Sequence, residues 1–508
     1  MNKVIGIENL RLKHVGGKSL LFKDLSLSIF EGQKVLILGP SGCGKSTLIQ
    51  ALSGLIPQAI DIPIKYTSLD KPKSWGYVFQ DPDTQFCMPY VDEEMAFVLE
   101  NLNVPREQMK ELMSVYLQKV GLHLPDLHTK ISNLSQGMKQ RLAIASVLAL
   151  EPDVLFLDEP TALLDPEGTE QVWESMKEVS RGKTVIIVEH KINHIVDFVD
   201  RVIIINGQGE LVADGSSKEV FTTAQHELQE FGIWYPGVWE NYLQSTTYQK
   251  IVSSRTNEVE VRAKQGDVSL SLLSNFKGYR GKEAKIHVPQ AEINAGDWVA
   301  IVGENGAGKS TLLLSLMQLI KTSGTYTMNG STLEGKVDLS QDIGFVFQNP
   351  EFQFVTNSVY EEIAYSLQST NQLSPSFIKE RVNHMINLFE LNEHLEKHPY
   401  QLSIGQKRRL SVATAVVRQQ KILLLDEPTF GQDARNTFRL LEHMEECRKE
   451  GTAIVMVTHD PHIVEHFATR VWVVGEGKLE KELLPTEYQQ EVLNKAEGNG
   501  REPVTTCF

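Results

Sequence analysis

Cysteine is scarce in this chain. Four residues in 508, Cys43, Cys87, Cys447 and Cys507, show neither the pairing expected of a disulfide framework nor the spacing of a metal-binding ribbon. They imply no zinc site, and a reducing, intracellular compartment is the default expectation. Long apolar runs are missing as well. Neither the opening MNKVIGIENLRLKHVGG nor any later stretch has the uninterrupted hydrophobic length of a signal peptide or a membrane span. Any role at a membrane is therefore expected to come through partner proteins. Positive charge is in deficit, with a net charge of -15, which argues against a nucleic-acid binder built on clustered Lys and Arg. What remains, 41% hydrophobic and 23% charged residues, fits soluble globular domains able to bury substantial cores. The length is too great for one core and comfortable for two domains.

A repeat fills that length. Gly39-Pro40-Ser41-Gly42-Cys43-Gly44-Lys45-Ser46-Thr47 returns as Gly303-Glu304-Asn305-Gly306-Ala307-Gly308-Lys309-Ser310-Thr311, 264 residues on. Gln80, Ser135, Asp158, Glu159 and Asp165 return 268 residues on as Gln348, Ser403, Asp426, Glu427 and Asp433, and His190 returns as His459. Apolar runs alternate with helical patterns in both halves, as a parallel sheet covered on two faces requires. Buried strands are predicted at Val35 to Leu38, Val154 to Leu157 and Thr184 to Val188. Their counterparts are Trp298 to Val302, Ile422 to Leu425 and Ala453 to Val457. The pattern breaks between about Gln225 and Asp267, where Trp234, Tyr235 and Trp239 indicate that part of the connector packs. From Leu479 the chain is mostly polar, and AEGNGREPVTTCF reads as frayed.

Each Gly-rich loop follows a predicted strand and opens an apolar helix, Leu48 to Leu55 or Leu312 to Ile320, which is the context of a phosphate-binding loop. Glycines let successive backbone N–H groups turn toward phosphates, and the helix N-terminus adds a favourable dipole. Lys45 and Lys309 are expected on the β- and γ-phosphates of ATP, and Ser46 and Ser310 on Mg2+. Each half then ends an apolar run in Asp158-Glu159 or Asp426-Glu427, the Asp suited to assist Mg2+ and the Glu to polarise water. His190 and His459 end β-rich runs, TVIIVEH and AIVMVTH, and are placed as γ-phosphate sensors.

Leu134-Ser135-Gln136-Gly137-Met138 and Leu402-Ser403-Ile404-Gly405-Gln406 resemble the LSGGQ signature of ABC-type ATPases, each a short helix ahead of its Asp-Glu pair. With Gln80 and Gln348 as Q-loop residues that join Ser46, Asp158, Ser310 and Asp426 in holding Mg2+, the resemblance spans nearly the whole chain. It implies an α/β fold of two P-loop ABC nucleotide-binding domains in tandem, each a parallel-core sheet with an antiparallel β subdomain and a helical subdomain. The expected layout is 1–224 and 268–478 for the ATPase domains, 225–267 for a linker and 479–508 for a C-terminal tail. It also implies that the halves pair head to tail within one chain. Ser403, Gly405 and Gln406 would then complete the first-half site, and Ser135 and Gly137 the second, with Asp165 and Asp433 linking the two. Met138 stands where Gln is usual, so the site it completes, on the second-half loop, is expected to be the weaker. For adenine, His14 is open between stacking and a surface role, and Phe276 or Tyr279 could serve in the second half.

Around the Q-loops, FQDPDTQF and FQNPEFQF precede acidic amphipathic helices, DEEMAFVLENLNVP and YEEIAYSL. This resembles the ATPases of energy-coupling-factor vitamin and metal-ion importers, where the region receives a helix from a transmembrane subunit. Phe86, Met88, Phe354 and Val355 are the expected docking residues. The resemblance implies an ATPase peripheral to the cytoplasmic face of the cell membrane, with a transmembrane scaffold subunit and a substrate-binding membrane subunit as partners and no nucleic acid. A fused pair is most similar to ATPases of thiamine-precursor (hydroxymethylpyrimidine) uptake. The alternatives are a tandem sugar-importer ATPase and a ribosome-binding ABC translation factor. Against the latter, the linker is short, aromatic and charge-balanced rather than long and basic. Only about 95 residues separate each phosphate loop from its signature, which leaves no room for the coiled coil of a chromosome-structure ATPase.

Overall fold

In both halves the β-branched, uninterrupted apolar runs form central parallel strands, because such residues are compatible with burial on both faces of a sheet. The computed structural model describes residues 2–13, 19–40, 42–162, 164, 166–265, 269–335, 337–368 and 373–498. Two compact units emerge, Met1–Val238 with Asp433–Arg435, and Trp239–Gln432 with Asn436–Phe508.

In the first unit a six-stranded sheet runs Leu211–Ser216, Arg201–Ile205, Lys34–Leu38, Thr184–Val188, Val154–Asp158, Trp75–Val78, parallel except at its Leu211–Ser216 edge. A separate antiparallel sheet pairs Lys3–Leu12 with Phe22–Phe30 and with the short strands Ile64–Lys65 and Ser68–Asp70. The helix Lys45–Ser53 lies between the sheets, and Leu48, Ile49 and Leu52 join Ile5, Val35 and Phe156 in one core. The second unit repeats this plan. Its parallel strands are Arg470–Gly475, Trp298–Val302, Ala453–Val457, Ile422–Asp426 and Ile343–Val346. A single residue pair, His287 with Lys478, joins them to the antiparallel strands, so ten strands are continuous.

Each unit carries a helical subdomain. Val91–Asn101, Arg106–Lys119 and Gln136–Leu148 form the first, Val359–Gln368, Pro375–Leu388 and Ile404–Val416 the second. Val91, Met95 and Leu99 recur at helical spacing and are buried, and so are Val359, Ile363 and Leu367. No helix of the described residues is long and apolar enough to cross a membrane.

The connector and the tail carry more structure than their composition indicated. Gln225–Glu230, Val238–Leu243 and Thr246–Gln265 are helices. Tyr242 stacks on Phe438 with ring centroids 3.9 Å apart, and Trp239 meets the same ring edge-on at 4.9 Å. Lys478–Leu483 is a strand paired antiparallel with Arg470–Gly475, and Pro485–Gly498 is a helix. Backbone pairing in that strand needs no apolar side chains beyond the buried Leu479, which is why a polar stretch concealed it.

Arg255, from the connector, donates through Nε and Nη2 to Glu445 at 2.8 and 2.5 Å. Arg448 donates to the same carboxylate through two nitrogens at 2.9 Å each. Burial drives the Glu445 carboxyl upward, but the hydrogen bonds from Arg255 and Arg448 hold it below its ordinary value. Its stabilising contribution is therefore present above the ordinary carboxylate pKa and is lost as pH falls through the depressed one. Glu445→Ala leaves a buried guanidinium uncompensated and is expected to cost about 3–5 kcal/mol, read as a lowered Tm of the full chain at neutral pH.

Candidate functional site

The two glycine-rich loops leave the C-terminal ends of Lys34–Leu38 and Trp298–Val302, the edge of a parallel sheet where ligand crevices form. A Cβ on Gly39 would stand 2.6 Å from the Ile205 carbonyl oxygen, and one on Gly303 would stand 2.0 Å from that of Val474. Only glycine lets the loop turn so close to the neighbouring strand. Gly44 and Gly308 cap the following helices at φ 95° and 106°, a left-handed conformation that leaves the first-turn N–H groups open. Pro40, Gly42, Cys43 and Thr47 complete the first loop, and Glu304, Asn305, Gly306, Ala307 and Thr311 the second, while Ser41 lies outside the described residues. Lys45 Nζ donates to the carbonyls of Gly39 and Pro40 at 2.8 and 3.2 Å; Lys309 Nζ donates to those of Gly303 and Glu304 at 2.7 and 2.9 Å. Both ammonium groups are thereby held inside their own loops.

The adjacent carboxylates emerge beside these lysines. Ser46 Oγ donates to Asp158 Oδ1 at 2.7 Å and Tyr77 donates to Oδ2 at 2.8 Å. Burial pushes Asp158 up to about 6 against those hydrogen bonds, with the Glu159 charge adding to the rise. Asp426 is likewise pushed up to about 6, by burial first, against a hydrogen bond from Ser310. The second half has Phe345 where the first has Tyr77. With no phenol to donate, Asp426 Oδ1 is buried without a hydrogen-bond partner. A buried carboxylate oxygen in want of a partner, next to a serine hydroxyl, suits a hard divalent cation.

Glu159 and Glu427 take up φ of 46° and 50°, a strained conformation for residues with a Cβ. Glu159 accepts from Gln80 Nε2 at 2.6 Å and faces His190 Nε2 at 3.0 Å. Burial works to raise its pKa, but the neighbouring His190 and Lys45 bring it below the ordinary value. Glu427 is lowered too, burial being outweighed by His459 and Lys309. His459 Nε2 lies 3.4 Å from Glu427 Oε1 without the alignment of a hydrogen bond, and Gln348 is exposed. A base kept ionised beside a phosphate loop is what activation of water requires.

The signature residues sit at helix starts. Ser135 Oγ and Ser403 Oγ accept from Met138 N and Gln406 N at 3.3 Å. Gln406 returns the bond, its Oε1 accepting from Ser403 N at 3.0 Å, which closes a capping box that Met138 cannot form. Gly137 and Gly405 lie in the first turns.

The FQxPxxQ segments are rigidly built. Gln85 Nε2 donates to Ala143 O at 3.0 Å and Gln353 Nε2 to Ser411 O at 2.8 Å. The buried carboxylates Glu94 and Glu362 accept from the backbone N–H groups of Cys87 and Met88, and of Val355 and Thr356. Phe354, expected on the docking surface, is instead buried, edge-on to Tyr400 at 6.3 Å. Phe352 is the residue turned outward, 75% exposed, with Val355 at 68%. Phe352 ends the 3-10 turn Pro350–Phe352, whose Asn349 cap accepts from Glu351 N. Phe86 and Met88 are half-buried. Phe276 is core, packed on Tyr326 at 5.4 Å, and so is not free to stack on a base, whereas Tyr279 is half-buried. His14 and Asp165 lie outside the described residues.

The ABC transporter family model matches twice, over residues 22–162 and 287–430. The chain belongs to the ABC transporter family. It is a tandem ABC ATPase, and domains of this family bind ATP with Mg2+ and couple hydrolysis to transport. This ABC ATPase is 36% identical over 506 residues to YkoD of Bacillus subtilis (strain 168), a protein named for HMP/thiamine import, with 94% of this chain and 91% of the relative covered. It is 31% identical to an ABC transporter ATP-binding protein of Methanosarcina mazei, covering 94% and 88%. Among solved structures, the RNase-L inhibitor matches with a TM-score of 0.61 at 19% identity over 96% of this chain and 93% of that one, a likeness of fold alone.

One site residue escaped the sequence reading. Glu189 is fully buried, accepting from Thr161 Oγ1 at 2.7 Å and from His190 N at 2.9 Å, and burial pushes its carboxyl up to about 7. The contrast of VEH with VTH, where Thr458 stands in the second half, was the available signal. Because the folded pKa exceeds the ordinary carboxylate value, folding is favoured while Glu189 is protonated, and that gain is lost as pH rises from about 4.5 to about 7. Glu189→Gln keeps a carbonyl for His190 N and an amide for Thr161. The variant is expected to lose less stability than wild type over that interval, as measured by Tm against pH.

Proposed function

We propose that this ABC ATPase is the energy-coupling subunit of an importer of the energy-coupling-factor type, taking up a vitamin or vitamin precursor of the thiamine/hydroxymethylpyrimidine class. It would sit at the cytoplasmic face of the cell membrane on a transmembrane scaffold subunit and a substrate-binding membrane subunit. The observation that carries this reading is the outward face beside the second Q-loop. There Phe352 and Val355 are more than half exposed on a segment pinned from within by Glu362 and Gln353, as is Tyr400, whose hydroxyl donates to the Glu351 carbonyl. Exposed apolar side chains on a segment held in place support a docking role for this side of the domain. The relative named for HMP/thiamine import supports the substrate class.

In this reading Glu159 and Glu427 polarise water, and His190 and His459 hold the γ-phosphate end. Lys45 and Lys309 neutralise phosphate charge. Ser46, Asp158 and Gln80 in one half, and Ser310, Asp426 and Gln348 in the other, would hold Mg2+, which when bound supplies charge stabilisation at the phosphates. The proposal includes head-to-tail pairing. Ser403, Gly405 and Gln406 would meet the first-half loop, and Ser135 and Gly137 the second, through helix starts whose amides suit a phosphate. ATP would favour the closed pair and hydrolysis its opening, and that difference in affinity moves the membrane partner.

The first-half carboxylate is the more tightly held, by Gln80 at 2.6 Å and His190 at 3.0 Å, against 3.4 Å for His459. Removing a general base costs about 10²–10⁴ at the affected site. Glu159→Gln is therefore expected to lower ATP turnover of the assembled importer more than Glu427→Gln, and equal losses would refute the inequality. Mass spectrometry of proteins co-purifying with the tagged chain from gently solubilised cells should recover two small polytopic membrane proteins. Phe352→Ser with Val355→Ser should release them while nucleotide binding is retained. Recovery of ribosomes without membrane proteins would overturn the importer reading.

A further inference from the structure

Directly after His459 the chain enters the helix Pro461–His466, capped by Asp460, whose side chain accepts from His462 N at 2.9 Å. His462 and His466 are one turn apart and so share a face, with Glu465 beside them. One ligand atom from each of these three side chains lies within 4.8 Å of the other two. The two imidazoles are nearly parallel, 15° between planes and 5.9 Å between centroids. Trp239 stacks on His462 at 4.9 Å and lies 6.4 Å from His466, while Tyr248 meets His466 edge-on at 6.0 Å. The aromatic connector thus fixes both rings from behind. The histidines are half-buried and Glu465 is exposed, so the cluster opens to solvent on its carboxylate side. None of the three side chains has a part in the phosphate loops, the paired carboxylates or the Q-loops.

We propose that His462, Glu465 and His466 form a binding site for one divalent transition-metal ion of the zinc class. Imidazole nitrogens and a carboxylate oxygen bind such an ion at about 2.0–2.2 Å and then stand about 3.3–3.6 Å apart, so the present spacing closes with about an ångström of side-chain rotation. Glu465, being exposed, supplies most of that freedom. The nearby Arg255 guanidinium, which would repel a cation, is engaged by Glu445 on two nitrogens. Two imidazoles select zinc, nickel, cobalt or copper over Mg2+, which prefers oxygen ligands and keeps its waters. The site is thereby chemically distinct from the one that takes Mg2+ with ATP. Its fourth position remains for water, and the ion would tie down the helix that follows His459.

The test is calorimetric titration of the chelator-stripped full chain with Zn2+ alone, in buffer containing excess Mg2+ and no nucleotide. One saturable site per chain is expected, weakened by at least about tenfold in Glu465→Gln and abolished in His462→Gln with His466→Gln. Cu2+ should quench tryptophan emission in wild type, and Trp239→Phe should remove most of that quenching while Zn2+ is still bound. Absence of saturable Zn2+ binding in wild type would overturn the proposal. So would unchanged affinity in Glu465→Gln, a variant that leaves the packed rings untouched and decides the matter even where the double variant fails to fold.

Discussion

Both halves depend on adjacent carboxylates at the end of a buried strand. Two negative charges on neighbouring residues, shielded from water, are costly unless hydrogen bonds and cations compensate them. Asp158 is met by Ser46 and Tyr77, and Glu159 by Gln80, His190 and Lys45. The compensation is uneven, which drives the two groups apart: Asp158 is pushed up to about 6 and Glu159 is held below its ordinary value. Such divergence within one pair separates a ligand-binding role from that of a base. The left-handed backbone at Glu159 and Glu427 belongs to the same arrangement, since it turns each carboxylate from the strand toward its histidine.

The repeat is one plan executed with different local chemistry. Tyr77 becomes Phe345, and a satisfied carboxylate becomes one with an orphaned oxygen. Glu189 becomes Thr458, so a buried, titrating carboxyl stands behind His190 alone, whereas in the second half a hydroxyl accepts from Asp460 N. Met138 becomes Gln406, and an open helix start becomes a closed capping box. Thr84 becomes Phe352, adding exposed apolar surface to one Q-loop. Each change is a single side chain, and each alters charge, polarity or capping at a phosphate loop, its carboxylate pair, a signature helix or the exposed side of a Q-loop.

The connector makes the second unit more than a copy. Its aromatic residues and Arg255 are built into that unit's core through Phe438, Phe467 and the buried Glu445. The same packing orders the helix that follows His459 and brings two imidazoles to bear on one ring.

By itself the sequence determined the repeat, the nucleotide-binding fold and the residues of the phosphate loops, paired carboxylates and strand-end histidines. Those features are local: a glycine pattern, an apolar run or a strand-to-loop junction is written in consecutive residues and recurs 264 to 268 positions on. Tertiary structure alone decided which aromatic faces water at the Q-loop, Phe352 rather than Phe354, because Phe354 packs edge-on against Tyr400 from a distant segment. It decided that Phe276 belongs to the core, that residues 478–483 complete a sheet, and that Glu189 supports the histidine loop. It also gathered Trp239 against His462 and His466, more than 220 residues away in the chain. These outcomes rest on contacts between distant segments, and burial, orphaned oxygens and shifted pKa values exist only once those segments meet.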